Sequence, residues 1–462
     1  MSVYFSSRVD VSEANPIIAL QRKMKAEGVA LHHLNDSNPT HHNLTLAGLP
    51  QTYTADPRGP KEARVALAKF LTKRLAHGGF DSDVVRAIAQ KCVSESNRSA
   101  QPDNPDNSDS PDNRDISGNL GHSAALVEPD QLYLASSTSE AYSWLMKLLC
   151  DPGDAVLCST PGYPLISSLG RLENVEAITY PLRYDGSWVI DVPEVERLVR
   201  ASLGEQASDD GEQQTSAFAA DSEDTGDIPP IRALILINPN NPSGSYVRED
   251  DYEQLIAICQ RYDLPLIVDE VFFDYVLKPL NAPHRIAGEQ RVLTFALDGF
   301  SKLLAAPHAK VGWIQVSGPS AEVEQALKRL DVIADDFLPM SSLIAERIPE
   351  LLTHVGEQVE RVSARTHANL EHLEKLLAAS ETGVVSLLRP EGGWNVILRF
   401  PSVIDESELV TTLISRHRLT AQPGYFFDMP SNGYLCVSLL PEPELFDSSI
   451  RTLLATIDEL IA

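Results

Sequence analysis

Lys302, in the stretch "GFSKLLAAPHAKVGW", stands just past an apolar run, with Lys310 eight residues further on. A lysine at the end of a buried strand can serve as an imine-forming amine when its surroundings depress its pKa. A carboxylate holds a comparable place at Asp269, which ends the apolar run "LPLIVD". Buried there, it needs either a polar cap or a cationic ligand. "SSTSEA" puts Ser137, Thr138 and Ser139 at a helix start, where free backbone N–H groups and three hydroxyls form an anion cup or an ordinary N-cap. In "NPNNPSGS", two Asn-Pro steps and a glycine force a tight turn that presents Asn241 beside a strand end.

These clusters fall at the ends of alternating elements. The segments 131–137, 154–160, 231–239, 264–273, 292–301 and 310–318 read as strands, and 139–150 and 248–262 as helices. Near-continuous apolar strands separated by helices indicate a parallel or mixed sheet covered on both faces, and ligands of such open sheets bind beyond the carboxyl ends of the strands. After Gly318 the pattern turns mostly helical, with short strands at 384–388, 394–400 and 434–440 and a closing amphipathic helix at 442–461. The division expected is therefore a large α/β domain over 40–325, a smaller α+β domain over 326–462, and an N-terminal segment, 1–39, packing with the small domain.

Bulk properties narrow the partners. The 462 residues carry 65 acidic against 38 basic side chains, a net charge of −27, which disfavours nucleic acid and anionic membrane. No segment approaches 18 uncharged apolar residues, and the N-terminus lacks a basic start followed by an apolar stretch, so no membrane partner is expected. The five cysteines never fall in a C-x-x-C pair, which speaks against a disulfide framework or thiolate zinc site and for a reducing, cytoplasmic setting. Residues 93–129 are rich in Ser, Asn, Asp and Pro, and residues 204–228 carry eight acidic residues and no Lys or Arg. Both read as mobile surface insertions that bury too little to offset their ordering entropy.

Taken in order, the clusters resemble the class I and II aminotransferases, pyridoxal-5'-phosphate enzymes of fold type I, over roughly residues 35–440. The resemblance implies a large domain with a mostly parallel, seven-stranded-type sheet, a small α+β domain, and pyridoxal 5'-phosphate as cofactor. It makes Lys302 the lysine that forms the internal aldimine and shuttles a proton. Asp269 is similar to the carboxylate that keeps the pyridine nitrogen protonated, Asn241 to the amide that donates to the ring oxygen, and Tyr163 in "PGYP" to the aromatic that stacks on the ring. Ser137, Thr138, Ser139, Ser301 and Lys310 would then bind phosphate. Tyr53 resembles the tyrosine that reaches the neighbouring subunit's phosphate, which implies a homodimer with shared sites. "SNPT" resembles the substrate-gating turn, which sets Asn38 near substrate; the four histidines of 31–43 are read as part of that gate, not as a metal site.

Four departures from the family pattern stand out. Lys310 replaces an arginine, Phe272 a tyrosine that assists Asn241, and Gly299 a phosphate-binding serine. Cys436, in "YLCVSLL", aligns with the arginine that grips the substrate carboxylate. Three readings of that change stay open: Arg399 or Arg58 takes over the carboxylate, the substrate lacks one, or the protein holds cofactor without turnover. The expected activity is amino-group transfer between an amino acid or amine and a 2-oxo acid. A decarboxylase or a C–S/β-eliminating lyase is the rival enzyme, and a silent, pyridoxal-phosphate-binding regulatory module the rival from outside catalysis.

Overall fold

The computed structural model describes residues 2–9, 55–76, 126–205 and 228–461, with a few isolated positions between 11 and 90. Twelve strands are present among them: β1 (Leu132–Ala135), β2 (Ala155–Thr160), β3 (Glu176–Tyr184), β4 (Trp188–Ile190), β5 (Ile231–Ile237), β6 (Leu266–Asp269), β7 (Thr294–Gly299), β8 (Gly312–Ser317), β9 (Ser386–Leu387), β10 (Asn395–Arg399), β11 (Gln422–Pro423) and β12 (Tyr434–Ser438). The first eight form one sheet in the order β1-β8-β7-β6-β5-β2-β3-β4. Its centre is parallel, whereas β8 runs antiparallel to both of its neighbours. The sheet thus has eight strands where a seven-stranded type was expected. The addition is the three-residue β4, which folds back on the end of β3 as an antiparallel hairpin.

Strand residues alternate between two cores, as their period of two requires. Ile235, Ile267 and Phe295 pack with Trp144, Leu145, Val323 and Leu330 on one face, so helices Thr138–Leu149 and Ser320–Phe337 lie there. Leu234, Leu236, Leu266 and Val268 pack with Val195, Leu198, Leu255 and Ile258 on the other, beneath helices Val192–Ser202 and Glu249–Arg261. Helix Ser320–Phe337 runs through the expected boundary at 325/326, and its buried face belongs to the large-domain core.

The second sheet, β11-β12-β10-β9, is antiparallel. Val396, Leu398 and Leu435 face helices Val355–Ala378 and Pro443–Ile461 through Leu370, Leu373, Phe446, Ile450 and Leu453. The alternate positions, Ile397 and Tyr434, pack into a core of the large domain. The small sheet therefore sits with one face on its own helices and the other toward the large domain.

Of the N-terminal segment expected to pack with the small domain, the described residues 2–9 lie on the large one. The Ser6 N–H donates to the Leu148 carbonyl at 2.8 Å, and the Arg8 guanidinium caps the carbonyls of Met146 and Cys150 at 2.9 and 2.6 Å, completing the C-terminus of helix Thr138–Leu149. Most of residues 10–54, including Asn38, Tyr53 and most of the histidine-bearing stretch, lie outside the described residues, as do most of the two insertions.

Candidate active site

The carboxyl ends of β2, β5, β6 and β7 lie side by side, because Ile237 pairs with Asp269 and Asp269 with Leu297. A cavity of about 1240 Å³ opens beyond them, walled on its far side by the small domain. Ser137, Thr138, Ser139, Tyr163, Asn241, Asp269, Ser301, Lys302 and Lys310 all line it. Nine side chains separated by up to 173 positions thus meet at one surface.

Local chemistry explains how each is held. Ser137 caps helix Thr138–Leu149 by accepting from the Glu140 N–H at 3.1 Å, while the Glu140 carboxylate accepts from the Ser136 N–H at 2.6 Å. The first N–H groups of that helix, at Thr138 and Ser139, have no intrahelical acceptor and suit an anion. The turn carrying Asn241 is pinned by its neighbours: the Asn238 amide donates to Glu270 at 3.1 Å and to the His284 carbonyl at 2.9 Å, and the Asn240 amide donates to the Pro161 carbonyl at 3.0 Å. Lys302 lies in a four-residue helical turn, Phe300–Leu303, whose Lys302 carbonyl accepts from the Tyr275 hydroxyl at 2.7 Å.

Gly299, at the end of β7, has a steric reason to be glycine. A Cβ there would stand 2.7 Å from the Val311 carbonyl oxygen and 3.0 Å from the Gly312 Cα. Restoring the family's serine by Gly299→Ser is therefore expected to cost about 1–3 kcal/mol of stability through overpacking. Thermal unfolding checks this; a variant as stable as the parent would show that β8 yields to the side chain.

The electrostatics favour a cationic ligand ring and a reactive amine. Burial pushes the Asp269 carboxyl up to about 6, opposed by the Val271 N–H at 3.2 Å and the Tyr142 hydroxyl at 3.0 Å, both donating to it. A buried carboxylate on a cavity wall, held by neutral donors, is suited to a protonated ring nitrogen. The Lys302 Nζ lies 5.1 Å from the Phe272 ring centre and 5.2 Å from that of Trp394. Burial lowers its pKa, with Asp269 pulling the other way, so the neutral amine is more accessible than on a solvated lysine. Together with the anion cup and Lys310, these residues fit pyridoxal phosphate: a carboxylate for the ring nitrogen, an amide for the ring oxygen, a half-exposed tyrosine for the ring face, and donors for the phosphate.

Two residues expected near substrate stand elsewhere. The Arg58 Nε and Nη2 grip the Asp331 carboxylate at 2.6 Å each, so its fork is committed to helix Ser320–Phe337. Arg399 is exposed at the far end of β10, its guanidinium 5.9 Å from the Tyr434 ring, and does not line the cavity. Asn38 and Tyr53 lie outside the described residues. Cys436 is on the cavity wall, 5 % exposed, with burial pushing its thiol up to about 12, so it is neutral there.

Four further residues line the cavity that the sequence did not single out. Tyr142 and Thr138 are one helical turn apart, a spacing that could have indicated Tyr142. Trp394 and Asn395 arrive from the small domain, and Arg418 lines the cavity just after helix-like residues Leu413–His417. Asn395 donates from Nδ2 to the Asn241 Oδ1 at 3.1 Å. No local pattern announces that bond, which joins the two domains.

The family model "Aminotransferase class I and II" matches residues 118–445. Among curated proteins, a glutamate-pyruvate aminotransferase of Haemophilus influenzae is 24 % identical over 206 residues, 44 % of each chain. An alanine aminotransferase of Mycobacterium bovis is 24 % identical over 321 residues, 68 % of this chain and 67 % of that one. Among solved structures, an alanine aminotransferase from Pyrococcus furiosus superposes with a TM-score of 0.64 at 17 % identity, covering 98 % of this chain and 99 % of its own.

Proposed function

This chain belongs to the class I and II aminotransferase family, pyridoxal-phosphate-dependent transaminases of fold type I, and from that premise we propose that it moves an amino group between an amino acid or amine and a 2-oxo acid. The observation that carries the reading is the convergence of Lys302, Asp269 and Asn241 on one cavity. When bound, the cofactor supplies an aldehyde that captures the amine and a ring that accepts the electron pair of the bond broken at the substrate carbon.

The chain's residues do the rest. Asp269 would keep a proton on the ring nitrogen, since a cation beside it removes much of the cost of its own burial. Asn241 would donate to the ring oxygen, and Tyr163 would cover the ring face. Ser137, Thr138, Ser139, Ser301 and Lys310 would hold the phosphate, with Lys310 acting as a point charge rather than a fork. Lys302 would accept the proton released at the amino-bearing carbon.

The substrate carboxylate is assigned to Arg418. Lys302 and Lys310 have duties toward the cofactor; Arg418, which lines the same cavity from the small domain, makes no ion pair among the described residues. Arg418→Leu should raise KM for carboxylate donors about tenfold or more, the usual scale for a lost charge-assisted hydrogen bond, with kcat within about twofold. An unchanged KM sinks the assignment.

We read the enzyme as a homodimer, with Tyr53 reaching the neighbour's phosphate; sedimentation of the purified protein tests this. A cytoplasmic location is the companion reading, supported by the buried free thiols of Cys150, Cys158, Cys259 and Cys436. No described helix is long and apolar enough to cross a membrane.

Incubation with pyridoxal phosphate and single amino donors tests the activity. Transamination would convert the bound cofactor to its amine form and release one equivalent of the donor's oxo product, with neither carbon dioxide nor ammonia. Release of carbon dioxide, or of ammonia with an oxo acid, would overturn it in favour of decarboxylation or elimination. A spectrum that no donor perturbs would favour a silent binding module.

A further inference from the structure

The small-domain strand β10 begins inside the cofactor cavity. Trp394, just before it, stands over Lys302 and packs edge-on to Phe272, with ring centres 5.4 Å apart. Asn395, its first residue, directs its amide nitrogen to the Asn241 Oδ1 at 3.1 Å. In the β10–β12 register Asn395 pairs with Ser438 and Ile397 with Cys436, so Asn395, Cys436 and Ser438 share the face turned toward the large domain.

That placement matters because an amide has two unlike ends. Asn241 can help a ring oxygen that carries negative charge only by presenting its NH2 group; turned over, it would present a second acceptor. The backbone of the turn leaves this rotation open. A donor on Oδ1 closes it, since NH2 facing NH2 would lose the bond. Phe272, which stands in place of the tyrosine that assists Asn241 in the family pattern, has no hydroxyl to serve as such a donor.

We propose that Asn395 is a positioning residue that orients the Asn241 amide toward the cofactor's ring oxygen, so that the small domain sets the proton affinity of the bound cofactor. The proposal rests on the transaminase reading above. It adds that small-domain placement and cofactor chemistry share one hydrogen bond. Loss of that bond would leave a bound ring oxygen less stabilised as an anion, and so raise the proton affinity of the loaded site.

The test uses the full-length protein loaded with pyridoxal phosphate, with the visible absorption band followed against pH. Asn395→Ala should raise the midpoint by about one pH unit, the tenfold change in proton affinity expected for one lost hydrogen bond. Asn395→Asp, which keeps the shape but cannot donate, should raise it further. The dissociation constant for pyridoxal phosphate should rise several-fold in both, and kcat should fall more than KM rises. Asn395→Gln, which retains a donor amide on a longer stem, should recover part of the midpoint shift if it folds. Asn241→Ala serves as the reference. A midpoint that moves in Asn241→Ala and stays at the wild-type value in Asn395→Ala and Asn395→Asp overturns this proposal alone. A wild-type protein that takes up no pyridoxal phosphate overturns the proposal and the function together.

Discussion

Lys302→Ala should abolish turnover, with kcat down by about 10⁴ or more, and should leave no cofactor fixed to the protein after borohydride reduction. The size of the effect would reflect the two duties proposed for one amine: covalent capture of the cofactor and proton transfer at the substrate carbon. The fold should survive, because the Lys302 side chain makes no ion pair among the described residues and rests against the Phe272 and Trp394 rings. Its own desolvation works against it, as the depressed pKa records. Thermal unfolding of the cofactor-free variant should therefore match or slightly exceed the parent. Activity within about tenfold of the parent would transfer the role to another group and undo the site assignment.

Asp269→Asn separates stability from function in the opposite directions. The folded-state pKa of Asp269 is raised to about 6 by burial, above the unfolded value near 4. Between those pH values the folded, cofactor-free protein binds the extra proton, so stability falls as pH rises through the window, and the cost is complete above about pH 6. A difference of roughly two pH units corresponds to about 3 kcal/mol, which the neutral amide avoids. The cofactor-free variant should thus melt a few degrees higher than the parent at pH 7.5 and level with it near pH 4. Its turnover should fall by about 10³, since an amide cannot hold the ring proton. A melting difference that is the same at both pH values would show that the carboxylate is not the source.

Lys302 and Asp269 are both held in an environment that disfavours their charges, and binding of the proposed cofactor would relieve both at once. Stability given up in the cofactor-free state is the form in which the fold stores affinity for its ligand.

Much of this architecture was legible in the chain. The runs ending at Ile237, Asp269 and Gly299 are mostly apolar, so their identity as buried strands, and the placing of polar residues at and just beyond their ends, are local facts. Helix Thr138–Leu149 announces itself through Ser137 and Glu140, a cap that sequence spacing specifies. The family order of these clusters then carried the function. Gly299 was legible as a departure, but its reason, the approach of the Val311 carbonyl, is a property of the β7–β8 pairing.

What the sequence by itself determined is the local chemistry: which groups sit at strand ends and helix starts, and hence which ligand they could share. What only the tertiary structure decided is the pairing of side chains far apart in the chain. Tyr142 meets Asp269 across 127 positions, Asn395 meets Asn241 across 154, and Arg58 is taken from the substrate by Asp331 across 273. The physical reason is that backbone periodicity fixes the face on which a residue lies, within one element. Which residue it meets depends on how elements pack against one another, and that is set by the whole core at once. Arg58 and Arg399 were plausible anchors as charges in a sequence; in the fold one is committed to a helix and the other faces away at a strand's end.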